Sequence, residues 1–133
     1  ALKSGYTVVW SGDISEAGYV LARDLSVLPK DPKLTRKQIL ESDEIIPEME
    51  VTQEIRQELF ETFQTVDDHL EHITGLYTDQ NGVKYYNTKN SWGHELTDTG
   101  YHKMSENYVK GKTMCILVHK NSIPENIRKK LGL

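Results

Sequence analysis

The sequence predicts an α+β domain in which a mostly antiparallel sheet carries peripheral helices. Three observations predict this class. A hairpin signature lies near the middle of the chain, two stretches show capped helical patterns, and an apolar run near the C-terminus has the length of a strand. With 133 residues the chain has room for one domain of ordinary size, so residues 1–133 are predicted to form a single domain.

The N-terminal third begins with a predicted strand. Residues 6–10 form a short aromatic and β-branched run that ends at a turn. Residues 17–33, interrupted by glycine and proline, indicate an ordered loop with a few core residues. In residues 34–41, Thr35 and Gln38 fit a capping box, which predicts the start of a short helix.

A second helix is predicted from Thr52 onward. Five apolar side chains fall on one face at helical spacing, and charged residues alternate with them on the other faces. Such a stripe is typical of core packing rather than of a ligand groove. The apolar residues of this stripe are Val51, Ile55, Leu59, Phe60 and Phe63.

The hairpin signature is the segment Asp79-Gln80-Asn81-Gly82, flanked by β-branched and aromatic residues. Asn-Gly tolerates positive φ and favours a tight turn. A turn centred there pairs residues whose numbers sum to about 161 to 163. His69 and Asn90 then become near-diagonal neighbours across the strands, with backbones roughly 7–8 Å apart. The spacing therefore predicts a contact between the two side chains.

The C-terminal third predicts one more strand between two helices. Ser105 is a candidate helix cap and Gly111 a candidate helix stop. Residues 113–119 are nearly continuously apolar, which predicts a strand in the centre of the sheet. Cys115, within that strand, is expected to be a small buried hydrophobe. A basic helix follows and is predicted to end at Gly132.

Charge and hydropathy exclude several classes of partner. The formal net charge is −4, which gives no basis for binding nucleic acid or an anionic membrane surface. No apolar run reaches the roughly 18 residues that span a bilayer. A single cysteine excludes an internal disulfide.

The histidines do not predict a metal site, and no cofactor is predicted. His72 follows His69 by three residues, and residues three apart on a strand point to opposite faces. The pair is therefore a poor chelate. The other three histidines show no ligand spacing either.

A histidine held by an asparagine has a well-defined chemical use. A general-base imidazole must be kept in one tautomer and one orientation, and an amide oxygen that accepts its N–H does this without adding charge. His69 and Asn90 are the candidate residues for this pairing.

Several segments around these residues carry a resemblance to a known family. Asp68-His69 with Gly75 six residues on, followed by Lys89-Asn90-Ser91-Trp92-Gly93 and by residues 100–104, resembles the histidine and asparagine segments of papain-like cysteine peptidases. Residues 5–16 and 56–60 are similar to the bleomycin hydrolase and aminopeptidase C branch of that family. The resemblance covers nearly the whole chain.

The resemblance implies roles for four residues. His69 would be the general base and the imidazolium partner of a thiolate, and Asn90 would orient its ring. Trp92 would shield the His–Asn hydrogen bond, and Asp68 would tune the local electrostatics. The implied activity is hydrolysis of peptide bonds, of aminopeptidase type, with a peptide as substrate.

The nucleophile of that family is missing from this chain. The family's cysteine lies in a Gly-x-Cys-Trp-like segment ahead of the histidine, and this chain has neither that segment nor its oxyanion-hole glutamine. The chain is therefore expected to be the C-terminal lobe of a two-lobed enzyme, with an N-terminal cysteine-bearing lobe as partner. A homo-oligomer is left open. The resemblance implies a cytoplasmic location, while secretion or a periplasmic location is left open.

Two other hypotheses remain. The chain could be a catalytically inactive, truncated or degenerate relative that serves as a binding or assembly module. An apolar patch beside His69 and Trp92 would favour the missing lobe over this module. A serine hydrolase using Ser91 or Ser11 is the weaker hypothesis, because no Gly-x-Ser-x-Gly elbow presents either hydroxyl.

Overall fold

A seven-stranded sheet forms the centre of the molecule in the computed structural model, which describes residues 1–133. The spatial order is β2-β3-β6-β5-β4-β1-β7, and only the β3–β6 pair is parallel. The strands are β1 (Val8–Gly12), β2 (Tyr19–Val20), β3 (Leu25–Ser26), β4 (His69–Thr78), β5 (Lys84–Lys89), β6 (Tyr101–Ser105) and β7 (Thr113–Val118).

Four short α-helices accompany the sheet, which confirms the predicted α+β class. They are α1 (Arg36–Glu41), α2 (Gln53–Glu61), α3 (Glu106–Lys112) and α4 (Glu125–Leu131). The capping box of Thr35 and Gln38 is present at the start of α1. Ser105 caps α3 by accepting the backbone N–H of Tyr108 at 3.0 Å. None of the helices has the length and apolar composition of a membrane-spanning segment.

The β4–β5 hairpin forms in the predicted register. Ile73 pairs with Thr88 and Leu76 with Tyr86, with one bulge between these pairs. At the turn, the side chain of Asp79 accepts the backbone N–H groups of Asn81 and Val83, at 2.8 and 2.9 Å. Gly82 has a φ of 82°, a conformation that glycine adopts without steric cost.

The core lies on one face of the sheet, against α3. Side chains alternate along each strand, so every second residue of the central strands points to this face. Its buried apolar residues are Val8, Trp10, Tyr19, Leu21, Ile73, Met104 and Tyr108.

The opposite face leaves apolar residues uncovered between β4, β1 and β7. Val9 pairs with Leu117, and Ser11 pairs with both Leu70 and Cys115. We call the exposed residues Val9, Leu70, Cys115 and Leu117 the open face. It lies on the side of β4 away from the core.

The prediction that residues 113–119 form a central, buried strand is wrong. β7 is an edge strand that pairs only with β1, and Cys115 is exposed. The run is apolar because the two faces of β7 both carry apolar side chains, in different environments. Ile116 and Val118 line an apolar cavity of about 620 Å³ together with Ile127 of α4, while their neighbours belong to the open face.

The stripe predicted on the second helix is buried only in part. Val51 and Leu59 are buried, whereas Phe60 is 48% and Phe63 82% exposed. The helix ends at Glu61, and Phe63 follows with a φ of 57°. This left-handed residue breaks the helical spacing, so Phe63 no longer shares the buried face.

Two further expectations need correction. Residues 17–33 contain the short strands β2 and β3 rather than a loop alone. Gly111 does not stop a helix, because α3 continues to Lys112. A Cβ at Gly111 would lie 2.7 Å from Leu28 Cδ2, so glycine there permits close packing.

Candidate active site

His69 and Asn90 meet at the open end of the β4–β5 hairpin. His69 is the first residue of β4, and Asn90 directly follows β5. His69 Nε2 lies 3.2 Å from Asn90 Oδ1, within hydrogen-bond distance. The hairpin register thus brings the two side chains predicted from the sequence together.

The hydrogen bond leaves one ring nitrogen of His69 free. An amide oxygen can only accept, so Nε2 of His69 donates to Asn90. Nδ1 makes no hydrogen bond within the chain. A cleft of about 580 Å³ lies beside the ring, lined by Asp67, Asp68, His69, Leu70 and Ser91.

Trp92 packs on the ring of His69. The two ring centroids are 4.7 Å apart with planes inclined at 39°. The backbone N–H of Trp92 also donates to Asn90 Oδ1 at 3.4 Å. Trp92 remains 39% exposed, whereas the His69 side chain is only 14% exposed. The indole therefore covers the imidazole on one side.

Asp68 anchors the entry to β4 and makes no hydrogen bond or ion pair with His69. Its backbone N–H donates to Gly12 O at 3.2 Å, and its carboxylate accepts the backbone N–H of Ile14 at 3.0 Å. Asp67 accepts a hydrogen bond from the hydroxyl of Ser11. These contacts tie the segment before His69 to the end of β1.

A cluster of charged residues around the buried Lys112 holds the loop that precedes His69. Lys112 donates to the carbonyl of Gln64 at 2.5 Å and lies 3.5 Å from Asp13. It also contacts the carboxylate of Glu16. Asp13 in turn accepts the backbone N–H of Val66 at 3.2 Å. The loop that leads to His69 is therefore held by buried polar contacts.

The environment of Asp13 favours its ionised form. Burial opposes ionisation, but hydrogen bonds from Ser15, the charge of Lys112 and the N–H of Val66 outweigh it and lower the pKa of Asp13. Asp13 therefore serves as a buried anion that caps the following turn.

Behind Asn90 lies a buried carboxylate that the sequence reasoning did not single out. The side chain of Glu71 is fully buried and accepts from Asn90 Nδ2 at 2.7 Å and from the Tyr19 hydroxyl at 2.6 Å. Asn90 Nδ2 also donates to the Tyr19 oxygen at 2.6 Å. Burial, reinforced by the Glu71 carboxylate, raises the pKa of Tyr19 far above its usual range.

The network continues to a second histidine. His102 Nε2 donates to Glu71, with its nitrogen 3.0 Å from Oε2, and His102 Nδ1 lies 3.1 Å from the hydroxyl of Ser26. All these side chains are buried. Glu71 could have been found from strand alternation, since it shares a face with His69 two residues earlier. Tyr19 and His102 come from segments distant in sequence, and no local sequence pattern indicates that they contact Glu71.

Cys115 lies away from the candidate site. It is two strands from β4, and it pairs with Ser11 in a row that also contains Leu70. Two strand spacings amount to about 10 Å. His69 points to the opposite face from Leu70, so the thiol and the imidazole are separated by the sheet.

No group of three or more histidine, cysteine, aspartate or glutamate side chains is arranged to hold a metal ion. His72 is exposed on the face of β4 away from His69 and pairs in register with Lys89.

The arrangement can hold an imidazole in one orientation and present Nδ1 to a reacting group. The amide of Asn90 fixes the ring from one side, and Trp92 covers it from another. Such an imidazole can take a proton from a nucleophile and return it to a leaving group. The described side chains place no thiol beside Nδ1.

Comparisons with known proteins agree with this fold. A model of the Peptidase C1-like family matches residues 37–132. The solved structure of PepW from Lactobacillus rhamnosis HN001 has a TM-score of 0.58 over 96% of this chain, with 17% sequence identity. The chain spans 27% of the length of the PepW chain. No curated protein matches the sequence.

Proposed function

Because this chain belongs to the Peptidase C1-like family, we propose that it is the C-terminal lobe of a papain-like cysteine peptidase of aminopeptidase type. In this proposal His69 is the general base, Asn90 orients it, and the nucleophilic cysteine comes from an N-terminal lobe. The observation that carries the proposal is the 3.2 Å contact of His69 Nε2 with Asn90 Oδ1, which leaves Nδ1 free at an open cleft.

The reaction begins with the thiol of the second lobe placed beside Nδ1 of His69. The imidazole takes the thiol proton, and the thiolate attacks the carbonyl carbon of the peptide bond. The imidazolium then gives its Nδ1 proton to the leaving amine as the C–N bond breaks. A water molecule, deprotonated by Nδ1, hydrolyses the thioester and releases the acid product and the thiol.

Asn90 and Trp92 act on this cycle through His69. The amide oxygen of Asn90 accepts a hydrogen bond from Nε2–H of His69 in both the neutral and the charged state of the ring. Since Trp92 covers the ring and donates its N–H to the same amide oxygen, it excludes water from that hydrogen bond. Both residues therefore keep Nδ1 aimed at the cleft.

An uncovered apolar residue at the rim of the cleft supports a missing second lobe. Leu70, adjacent to His69, is 63% exposed and lines the cleft beside the ring, although its side chain points to the other face of the sheet. It also lines a groove together with Val9, Asn90 and Ser91. Free-standing domains seldom leave large contiguous apolar patches uncovered. The chain also spans only 27% of the length of the PepW chain.

The test is to assay aminoacyl-coumarin and blocked peptide substrates with this chain alone and with the polypeptide encoded immediately upstream. We expect no turnover by the chain alone and turnover by the combination. His69→Ala should abolish that turnover, and Asn90→Ala should lower kcat by at least about tenfold, because the ring is no longer held.

Two variants serve as matched controls. His72→Ala removes a histidine from the same strand but from the other face, and Cys115→Ser removes the only thiol of the chain. Both should leave turnover unchanged. Activity of the chain alone, or loss of activity in Cys115→Ser, would overturn the assignment of roles. A combination that binds but never turns over would favour a binding or assembly module.

A further inference from the structure

The amide of Asn90 has two ends, and the site works only in one orientation. With Oδ1 toward His69, the ring nitrogen Nε2 donates to an acceptor. With the amide reversed, Nδ2 of Asn90 would face the ring as a hydrogen-bond donor. Nε2 of His69 would then have to be unprotonated to accept, and the ring proton would sit on Nδ1. The orientation of Asn90 therefore decides whether Nδ1, the nitrogen at the cleft, is bare and able to act as a base or carries the ring proton.

Glu71 closes off the reversed orientation. Its carboxylate lies 2.7 Å from Asn90 Nδ2. Reversing the amide would place Oδ1 against that carboxylate oxygen, with no proton between two acceptors. A buried carboxylate that accepts from an amide N–H makes a strong, charge-assisted hydrogen bond. The hydrogen bond to Glu71 thus stabilises the present orientation of the Asn90 amide, and repulsion between two oxygens destabilises the reversed one.

Tyr19 fixes the second hydrogen of the same amide. The hydroxyl of Tyr19 donates to Glu71 at 2.6 Å, so its oxygen is left to accept from Asn90 Nδ2 at 2.6 Å. The raised pKa of Tyr19 keeps this hydroxyl protonated. Both hydrogens of Asn90 Nδ2 are therefore directed away from His69.

Glu71 is itself held in place by His102. The ring of His102 donates from Nε2 to the carboxylate, with distances of 3.0 Å to Oε2 and 3.2 Å to Oε1. Together with Tyr19 and Asn90, three donors converge on one fully buried carboxylate. This set of contacts satisfies the charge and leaves Glu71 little freedom to move.

We propose that Glu71 is a positioning residue of the site, whose buried carboxylate orients the amide of Asn90 and so holds His69 as the Nε2–H tautomer. The proposal rests on the proposed function, since it gives the tautomer a catalytic use. Glu71 Oε1 lies 3.8 Å from His69 Nε2, beyond hydrogen-bond distance, and the hydrogen bond of that ring nitrogen goes to Asn90 Oδ1 at 3.2 Å. Glu71 therefore acts on the ring through Asn90 and does not touch the reacting atoms.

The test reads the tautomer directly in the chain alone. Nitrogen NMR of histidine-labelled protein at neutral pH distinguishes a protonated from a bare ring nitrogen. We expect Nε2–H at His69 in the wild type, and a mixture of tautomers in Glu71→Leu, which keeps the volume but removes the acceptor. Exchange protection of the Asn90 side-chain amide should fall about tenfold or more.

The matched control is Ser26→Ala, which removes the far end of the same network without touching Asn90. It should leave both readouts at the wild-type value. If Glu71→Leu does not fold, Glu71→Gln decides the matter. Its neutral amide should still lower the amide protection at Asn90 by at least threefold. Wild-type tautomer and protection in a folded Glu71 variant would overturn the proposal.

A reconstituted enzyme supplies the second readout. There Glu71→Leu should lower kcat while leaving KM within twofold, and Ser26→Ala should match the wild type. If Glu71→Leu alters the tautomer of His69 but the reconstituted wild-type enzyme shows no turnover, the positioning role stands and the proposed function is refuted. If the wild-type enzyme turns over but Glu71→Leu leaves the tautomer unaltered, the proposed function stands and the positioning role is refuted.

Discussion

Lys112 has its ammonium group almost wholly inside the protein, where it meets Asp13, Glu16 and the carbonyl of Gln64. Removing one partner of a buried ion pair leaves an uncompensated charge in a poorly solvated site. We expect Lys112→Met to lower the free energy of unfolding by about 3–5 kcal/mol, measured by urea denaturation.

The control for this substitution is Lys110→Met on the same helix. Lys110 is half exposed and pairs with Glu106 at 3.4 Å, so its loss should cost less than about 1 kcal/mol. Equal effects of the two substitutions would contradict the structural role given to the buried ammonium group.

Glu48 makes stability depend on pH. Its carboxyl accepts from the N–H of Leu28 at 2.8 Å and from the hydroxyl of Ser105 at 2.5 Å. Burial raises the pKa of Glu48 despite these hydrogen bonds. The folded protein therefore holds this proton more tightly than the unfolded chain does, and stability falls as the pH rises from the unfolded pKa through the folded one.

We expect Glu48→Gln to raise the melting temperature at pH 7, because the neutral amide avoids the cost of burying a charge. The gain should shrink below the usual glutamate pKa of 4.5, where wild-type Glu48 is protonated in both the folded and the unfolded state. Glu106→Gln is the control of opposite sign. A hydrogen bond from Lys84 lowers the pKa of Glu106, so its replacement should not stabilise the protein at pH 7.

Residues of the site differ in how far the sequence could predict them. His69 and Asn90 flank one hairpin, so the turn alone determines their separation, and the structure places them in contact. The partners behind Asn90 come from β2, β4 and β6, which only the complete sheet brings together. No local pattern contains that information, because each partner looks like an ordinary strand residue.

At the scale of elements, the pairing of β1 with β7 contains a bulge opposite Ser11 and Gly12, and the close packing there requires a glycine. A Cβ at Gly12 would lie 2.2 Å from the carbonyl oxygen of Lys112 and 2.3 Å from the ring of Trp10. We expect Gly12→Ala to destabilise the protein by at least about 2 kcal/mol, because neither the backbone nor the buried indole can move freely.

Gly75 provides the comparison for Gly12, since it also lies at a bulge, in β4. A Cβ there would meet only Asn87 Cβ at 3.5 Å, an ordinary contact. Gly75→Ala should change the free energy of unfolding by less than about 1 kcal/mol in thermal or urea melts. A larger effect at Gly75 than at Gly12 would contradict this account of the bulge.

Elements defined by local signals were predicted well, and the place of a strand within the sheet was not. Caps and turns are decided by a few neighbouring residues, as at Thr35 and Ser105. β7 was predicted to be central because it is apolar throughout. An edge strand can be as apolar as a central one when one of its faces packs under a helix and the other face is exposed. Hydropathy alone therefore does not distinguish an edge strand from a central strand.

For the whole molecule, the exposed Leu70 at the rim of the cleft leads to a prediction about association. Leu70 contributes little to the isolated chain because most of its side chain is in water. We expect Leu70→Ser to change the free energy of unfolding by less than about 0.5 kcal/mol. In the proposed two-lobed enzyme it should weaken binding of the cysteine-bearing lobe by at least about fivefold, measured by calorimetry.

Ile45 is the matched control for Leu70. It is 69% exposed, a fraction close to that of Leu70, but it lies on the acidic connector between α1 and α2. Ile45→Ser should leave the affinity for the second lobe unchanged. Equal losses from both substitutions would place the contact elsewhere.

Cys115 gives this chain a built-in attachment point for a reporter group. It is the sole sulfhydryl, it faces solvent, and it shares its side of the sheet with Leu70. A fluorophore or nitroxide coupled to it will report whether another polypeptide covers that side of the sheet, without any engineered mutation. The residue that was predicted to be buried is thus a convenient place from which to follow association.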